Sequence, residues 1–263
     1  MTPFAQAALL GLGAALALAG LTWMASVVQR DVSLVDRTWS LLIAVSAAAY
    51  AGVLAPAGDR RFAVMATVLA LWAVRLAIYV SWRNWGHGED RRYQQIRARN
   101  EPNFALKSLY LVFVLQAVLA WLVSTPFLAA AANPAPWTVL DLVGAALAAF
   151  GFVFEAIGDQ QLASFKRVPA NRGRVMDRGV WRYTRHPNYF GECCLWWGLF
   201  LMALPAGGWW SVIAPLVMTG LLLKVSGVAL LEKDIGERRP AYRDYIARTN
   251  AFFPGPPKRG ASR

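Results

Sequence analysis

The sequence Val180-Trp-Arg-Tyr-Thr-Arg-His-Pro-Asn-Tyr-Phe-Gly-Glu-Cys-Cys-Leu-Trp-Trp197 starts in a basic loop and runs directly into a strongly apolar helix. Arg182, Arg185 and His186 stand at the boundary. Pro187 fixes the φ angle that suits a first helical turn, where its missing N–H costs nothing. Asn188 and Glu192 are four apart and share one face of that helix, beginning at its N-terminus. Cations around a helix N-terminus, with two directional polar groups just inside it, suit an anion-bearing ligand. A loop of snorkelling arginines before a capped transmembrane helix would look the same locally. The rest of the chain has to decide.

The chain has 263 residues, is 57% hydrophobic, contains 12 tryptophans and still carries a formal charge of +12. A soluble domain does not need repeated apolar runs of about 20 residues, which is the length that crosses a bilayer as a helix. Seven such runs are present, at 4–28, 38–57, 62–82, 108–132, 137–158, 189–206 and 209–231. The first has no small-residue cleavage site before Trp23 and reads as a retained span. The fold class expected is therefore all-α: a polytopic membrane protein with seven transmembrane helices. Residues 1–263 form a single domain whose cofactor-binding half covers roughly 137–255.

Charge sets the orientation. Apart from Arg60, Arg61, Arg75 and Lys224, all of the 27 Lys and Arg fall in 29–37, 83–107, 159–188 and 232–263. These connections alternate with ones whose only Lys or Arg are Arg60 and Arg61, so they lie in the cytoplasm together with the C-terminus, and the N-terminus lies outside. The basic excess is thus a matter of loop asymmetry and does not imply nucleic acid. The residues from Pro254 onward read as a frayed tail. Cys193 and Cys194 are adjacent within a span, lack metal-ligand spacing and read as free, buried thiols.

Charges inside spans are costly and mark function. Arg75 is followed at i+4 and i+8 by Tyr79 and Arg83 on one face of the third helix. Glu155 and Asp159 are an i, i+4 carboxylate pair, which repels unless something donates to both. Lys166 and Arg167 come next. Lys224 and Glu232 share a stripe of the seventh helix but are separated by about 12 Å of helical rise, so each must reach another partner. Polar groups from several helices near one membrane face predict a polar cavity open to the cytoplasm.

At a second loop–helix junction, Gln29-Arg-Asp-Val-Ser-Leu-Val-Asp-Arg-Thr-Trp39, Asp36 is placed either to cap the second helix or to face the cavity as a proton donor. The loop Trp85-Gly-His-Gly-Glu-Asp-Arg-Arg-Tyr93 has one histidine beside two acids, too little for a metal site, and reads as a charged cover. No Gly-x-Gly-x-x-Gly comes after a strand and no Walker sequence occurs, which excludes soluble nucleotide-binding folds.

The blocks Asp31–Trp39, Leu71–Leu76, Gly88–Tyr93, Phe154–Leu162, Tyr183–Glu192, Leu223–Gly227, Leu230–Glu232 and Tyr242–Pro254, in order along almost the whole chain, resemble the bacterial branch of the membrane steroid 5α-reductase family. The resemblance implies a protein of the bacterial inner membrane that binds NADPH in a cytoplasm-facing cavity. It also implies hydride transfer to the C4=C5 double bond of a 3-oxo-Δ4-steroid or related lipid enone. A monomer among membrane lipids, with a lipophilic steroid-like substrate and no nucleic acid, is the expected assembly.

Carried over by position, the family's cofactor-binding Asn and Glu fall on Asn188 and Glu192. Its Asp at the end of the fifth helix falls on Asp159, and the basic residue seven further on falls on Lys166. Glu155 stands where animal members have Asn. The third-helix Arg falls on Arg75, with Tyr79 one turn later. Lys166, Arg172, Arg182 and Arg185 are the candidates for the phosphates, and Tyr183, His186, Lys224 and Glu232 complete the expected cofactor-binding set. Animal members polarise the steroid ketone with a second-helix Glu and a third-helix Tyr. Here the nearest carboxylate is Asp36, the expected catalytic acid, and the aligned third-helix position is Trp72.

Two other readings compete. Membrane isoprenylcysteine and phospholipid methyltransferases share the Arg-His-Pro-x-Tyr-x-Gly block and bind S-adenosylmethionine through adjacent carboxylates. This chain has Glu232-Lys-Asp234 in their place. A non-catalytic lipid transporter or receptor would not need the ring of cytoplasmic cations.

Overall fold

The computed structural model describes residues 1–54, 58–225 and 240–258. Among the described residues every regular element is helical. Six helices are long and apolar enough to cross a membrane: α1 Pro3–Gln29, α2 Leu34–Leu54, α3 Arg60–Asn84, α5 Phe104–Val123, α7 Val139–Arg167 and Pro187–Ala206, of which Pro187–Ala203 is α8 proper. Shorter helices are α4 Arg91–Asn100, α6 Thr125–Ala132, α9 Ile213–Gly220 and α10 Ala241–Arg248. The last expected span, 209–231, begins as the shorter apolar stretch Gly208–Lys224. The rest of it, with Glu232, lies outside the described residues.

The chain divides into two compact units, the first comprising Met1–Asp141 with Met202–Ala214 and the second Leu142–Leu201 with Pro215–Arg263. In the first unit, α1 presents a row of small residues (Ala7, Gly11, Ala15, Ala19, Thr22 and Ser26), all buried. Small side chains let helix backbones approach closely where no hydrophobic drive separates helix from lipid. A Cβ on Gly11 would fall 2.2 Å from the Tyr50 ring, so Tyr50 of α2 fits only because residue 11 is glycine. Side-chain donors then bind helical carbonyls across the contacts. Ser46 Oγ donates to Gly11 O at 3.0 Å, Ser40 Oγ to Ala73 O at 2.8 Å, Trp23 Nε1 to Ala105 O at 2.9 Å and Trp121 Nε1 to Ala8 O at 2.9 Å.

The expected fourth span, 108–132, is two helices. Pro126 lacks the N–H that would continue the ladder, and α5 stops at Val123. The next helix, α6, is buried on all sides from Thr125 to Ala131 and so is an internal element of the unit. At the end of the unit that holds the start of α7, Arg61 is fully buried against Asp141, at 2.6 Å from Nε to Oδ1 and 3.0 Å from Nη2 to Oδ2. The guanidinium also donates to the carbonyls of Ala135 and Pro136, and Arg60 lies 4.4 Å from the Trp137 ring centre. With every charged atom partnered, two ions are tolerated where one would not be.

In the second unit α7 outlasts its hydropathy. The apolar run ends near 158, but the chain remains helical to Arg167, where Val168 and Pro169 end it. Gln160, Gln161, Leu162 and Ala163 are good helix formers, so the helix needs no apolar environment to continue. Helices α7 and α8 touch backbone to backbone. A Cβ on Gly151 would lie 2.4 Å from Gly191 O, one on Gly191 2.5 Å from Glu155 N, and one on Gly198 2.5 Å from Ala148 N.

The part of the tail that is described, Pro254–Lys258, is held by hydrogen bonds, contrary to expectation, and residues 259–263 lie outside the described residues. Arg185 N–H donates to Asn250 O at 2.9 Å, Thr184 Oγ1 to Phe252 O at 2.8 Å, Gly255 N–H to Tyr183 O at 3.0 Å and Lys258 N–H to Arg248 O at 2.8 Å. Backbone hydrogen bonds that a frayed end would leave to water are made to the 183–186 loop and to Arg248 instead.

Candidate functional site

In the first unit, the chain before α2 meets the loop after α3. Asp31 accepts from Ser33 N–H at 3.0 Å and from the Ser33 hydroxyl. Asp31 thus forms the turn that leads into α2, and Asp36, offered by the sequence as a cap or a cavity-facing acid, stands in the first turn of the helix. Opposite, Glu89 accepts from Val32 N–H at 3.0 Å and from Arg97 at 2.9 and 2.8 Å, while Ser33 Oγ accepts from Asp90 N–H at 3.2 Å. Burial works against the Glu89 charge, but Arg97 and the Val32 N–H outweigh it and hold the carboxyl below its ordinary range. These contacts turn α4 back over the start of α2.

That fold-back brings Tyr93 to Asp36. The Tyr93 hydroxyl donates to Asp36 Oδ1 at 2.6 Å, and Arg92 Nη2 donates to Asp36 Oδ2 at 2.8 Å. Arg92 Nε also holds Asp90 at 3.0 Å. From α5, Gln116 Nε2 reaches the phenol oxygen at 3.2 Å. Tyr93 is 7% exposed and the Asp36 side chain 21%. Burial first, then the neighbouring Asp36 charge, push the Tyr93 phenol well above its ordinary range. Chemically the cluster is a neutral phenol held by an ionised carboxylate, suited to donating a hydrogen bond. Arg75 and Tyr79 lie half-buried on α3 of the same unit. Trp72, the residue aligned with the family's tyrosine, is wholly buried.

The second unit gathers the other candidates. Asn188, in the first turn of α8, donates through Nδ2 to Asp159 Oδ1 at 3.3 Å. Glu155, Asp159, Glu192 and His186 are all buried. Gly158 makes the meeting possible, since its absent side chain leaves room for Asn188 N and Pro187, 3.2 Å from where a Cβ would stand. Trp181 Nε1 donates to Gly158 O at 3.0 Å and Val180 N–H to Gln161 Oε1 at 3.0 Å, which folds the basic loop back along α7. His186 and Tyr189 stack with ring centres 5.5 Å apart.

The basic candidates divide. Lys166, Arg172, Arg182 and Lys224 are exposed, as is Tyr183, whose carbonyl accepts from Gly255. Arg185 is buried, and its guanidinium donates to the carbonyls of Thr249 and of Ile246, the latter at 3.2 Å. Its charge serves the free C-terminal carbonyls of α10.

Sequence reasoning passed over Tyr93 as a working residue, although it closes the block Gly88–Tyr93, and it passed over Gln116 entirely. The second had a visible signal: Gln116 is the strongly polar side chain in the otherwise apolar run from Leu111 to Val123.

A family model described as a protein of unknown function (DUF1295) matches residues 22–249. An uncharacterized protein of the yeast Schizosaccharomyces pombe is 27% identical over 267 aligned residues, covering 90% of this chain and 76% of that protein. No solved structure matches.

Proposed function

This chain belongs to the DUF1295 family, and from that premise we propose that it is an NADPH-dependent membrane reductase of lipid enones, with 3-oxo-Δ4-steroids as the substrate class. The observation that carries the reading is the 2.6 Å contact between the buried Tyr93 hydroxyl and Asp36. Enone reduction needs a hydrogen-bond donor at the ketone, because negative charge builds on that oxygen as the β-carbon gains hydride. The phenol's one proton goes to Asp36 Oδ1. In this reading the ketone oxygen replaces that carboxylate oxygen as its acceptor, while Arg92 holds Asp36 through Oδ2.

The residues of the second unit fit a dinucleotide. Asn188, Asp159, Glu155 and Glu192 offer donors and acceptors for ribose and carboxamide groups, and exposed Lys166, Arg172 and Arg182 offer charge for phosphates. Bound NADPH supplies the hydride. The chain orients the cofactor, holds the lipid and provides the donor. Seven membrane spans, an outside N-terminus, a cytoplasmic C-terminus and an active site facing the cytoplasm of a bacterial inner membrane belong to the same proposal, as does the monomeric state. The charge distribution supports the orientation.

NADPH fluorescence with the purified protein in detergent, and then NADPH consumption on adding progesterone or testosterone, tests the reading. Binding and consumption are expected. Absent NADPH binding with tight S-adenosylmethionine binding overturns it in favour of a methyltransferase. Binding without consumption rejects the steroid substrate class.

A further inference from the structure

Gln116 is the second residue after the π turn Leu109–Val114 of α5. A π turn inserts one residue into a helix, so the residues beyond it are rotated by roughly 100° relative to an unbroken α-helix. Without that insertion the amide of Gln116 would point about a quarter turn away, leaving a polar group in a membrane span without this partner. With it, Nε2 reaches the Tyr93 oxygen at 3.2 Å. A phenol has one proton and two lone pairs, whereas an amide –NH2 can only donate. Gln116 therefore occupies a lone pair and cannot take the proton, which is directed away from α5 and toward Asp36.

We infer that Gln116 is a positioning residue for the donor. The π turn delivers its amide to a lone pair of the Tyr93 oxygen, which keeps the phenol's one proton on the Asp36 side. There the oxygen of the bound enone replaces Asp36 Oδ1 as its acceptor. The inference rests on the reductase reading for its consequence in turnover, but not for its effect on the phenol. Asp36 and Arg92 are the charged groups that face the phenol with it.

Two variants and two readouts test it. In protein carrying tyrosine labelled with carbon-13 at Cζ, the Tyr93 resonance is assigned by its loss in Tyr93→Phe. Gln116→Leu is expected to shift that resonance and to lower kcat about tenfold, the effect of one lost hydrogen bond, with KM for the enone changed less. Gln116→Glu is expected to lower kcat further, because a carboxylate accepts the phenol's proton in competition with Asp36. A residue that merely fills space gives the opposite order, with the near-isosteric Glu the milder change.

An unmoved Tyr93 resonance in Gln116→Leu overturns the inference, as does Gln116→Glu being milder than Gln116→Leu, or a raised KM with intact kcat. If the unaltered protein binds NADPH yet reduces no enone, the reductase reading falls. The resonance alone then decides, a shift supporting the amide's hold on the phenol and no shift rejecting it.

Discussion

At the scale of single residues, Tyr93 and Asp36 have different jobs, and substitutions should separate them. Tyr93→Phe removes the donor and should lower kcat by at least about 10²-fold, with NADPH affinity measured by fluorescence unchanged. Asp36→Asn keeps the shape but no longer aligns the phenol as a charged acceptor. It should also lower turnover at intact cofactor affinity, and unchanged turnover would remove Asp36 from the site. Because burial and the Asp36 charge both favour the neutral phenol, Tyr93 keeps its proton through the ordinary tyrosine range. The alkaline limb of kcat should therefore lie above that range, and Asp36→Asn should move it down.

Asp36 was legible from sequence as a carboxylate at the start of an apolar run. Its partner was not, because Tyr93 is 57 positions away and is brought there by the Glu89 contacts to Val32 and Arg97. Alignment by helix pointed instead to Trp72. A third substitution belongs at this scale. Arg61→Met leaves Asp141 buried without its cation and should cost about 3–5 kcal/mol. The double variant Arg61→Met with Asp141→Leu should recover much of that loss in thermal unfolding in detergent.

Among the helices, glycine decides how α7 meets α8. Gly144, Gly151 and Gly158 recur every seven residues on α7, and Gly191 and Gly198 do the same on α8. Such spacing keeps one face small over successive turns, so the backbones touch. Gly151→Val places a Cβ 2.4 Å from Gly191 O and Leu195 N, where backbone on both sides cannot yield without the helices separating. Destabilisation of about 1–3 kcal/mol or more is expected, read as a lowered unfolding temperature. Gly13→Ala on α1, whose added Cβ meets nothing within 4 Å, is the control and should be neutral.

The seven-residue recurrence was present in the sequence but hidden within general apolarity, since hydropathy does not distinguish a helix that faces lipid from one that touches another backbone. Hydropathy likewise gave the positions of six membrane-length helices but not their ends. Helix α7 continues to Arg167 because its helix formers persist after its apolar residues stop. Nor could a pattern of apolar residues reveal the hydrogen bonds that hold 250–255 against 183–186. Those depend on Thr184 and on backbone groups, which carry no periodic signal.

Over the whole molecule, composition and charge were the most legible features, because membrane thickness and loop charge act on sums and not on individual contacts. Arg60 and Arg61, the cations of the sparsely charged side, are both engaged, one over Trp137 and the other with Asp141. They offer little free positive charge to oppose the rest, whereas Arg172, Arg174, Arg178 and Arg182 are exposed. A membrane inserting by the positive-inside rule should therefore place the C-terminus firmly in the cytoplasm. A fluorescent-protein fusion after Arg263 should fluoresce in bacterial cells, and an alkaline-phosphatase fusion there should be silent, with the pattern reversed for fusions in the connection between α2 and α3. Phosphatase activity at the C-terminal fusion would put the basic loops outside and, with them, the cations proposed to meet the cofactor, leaving the reductase reading without access to cytoplasmic NADPH.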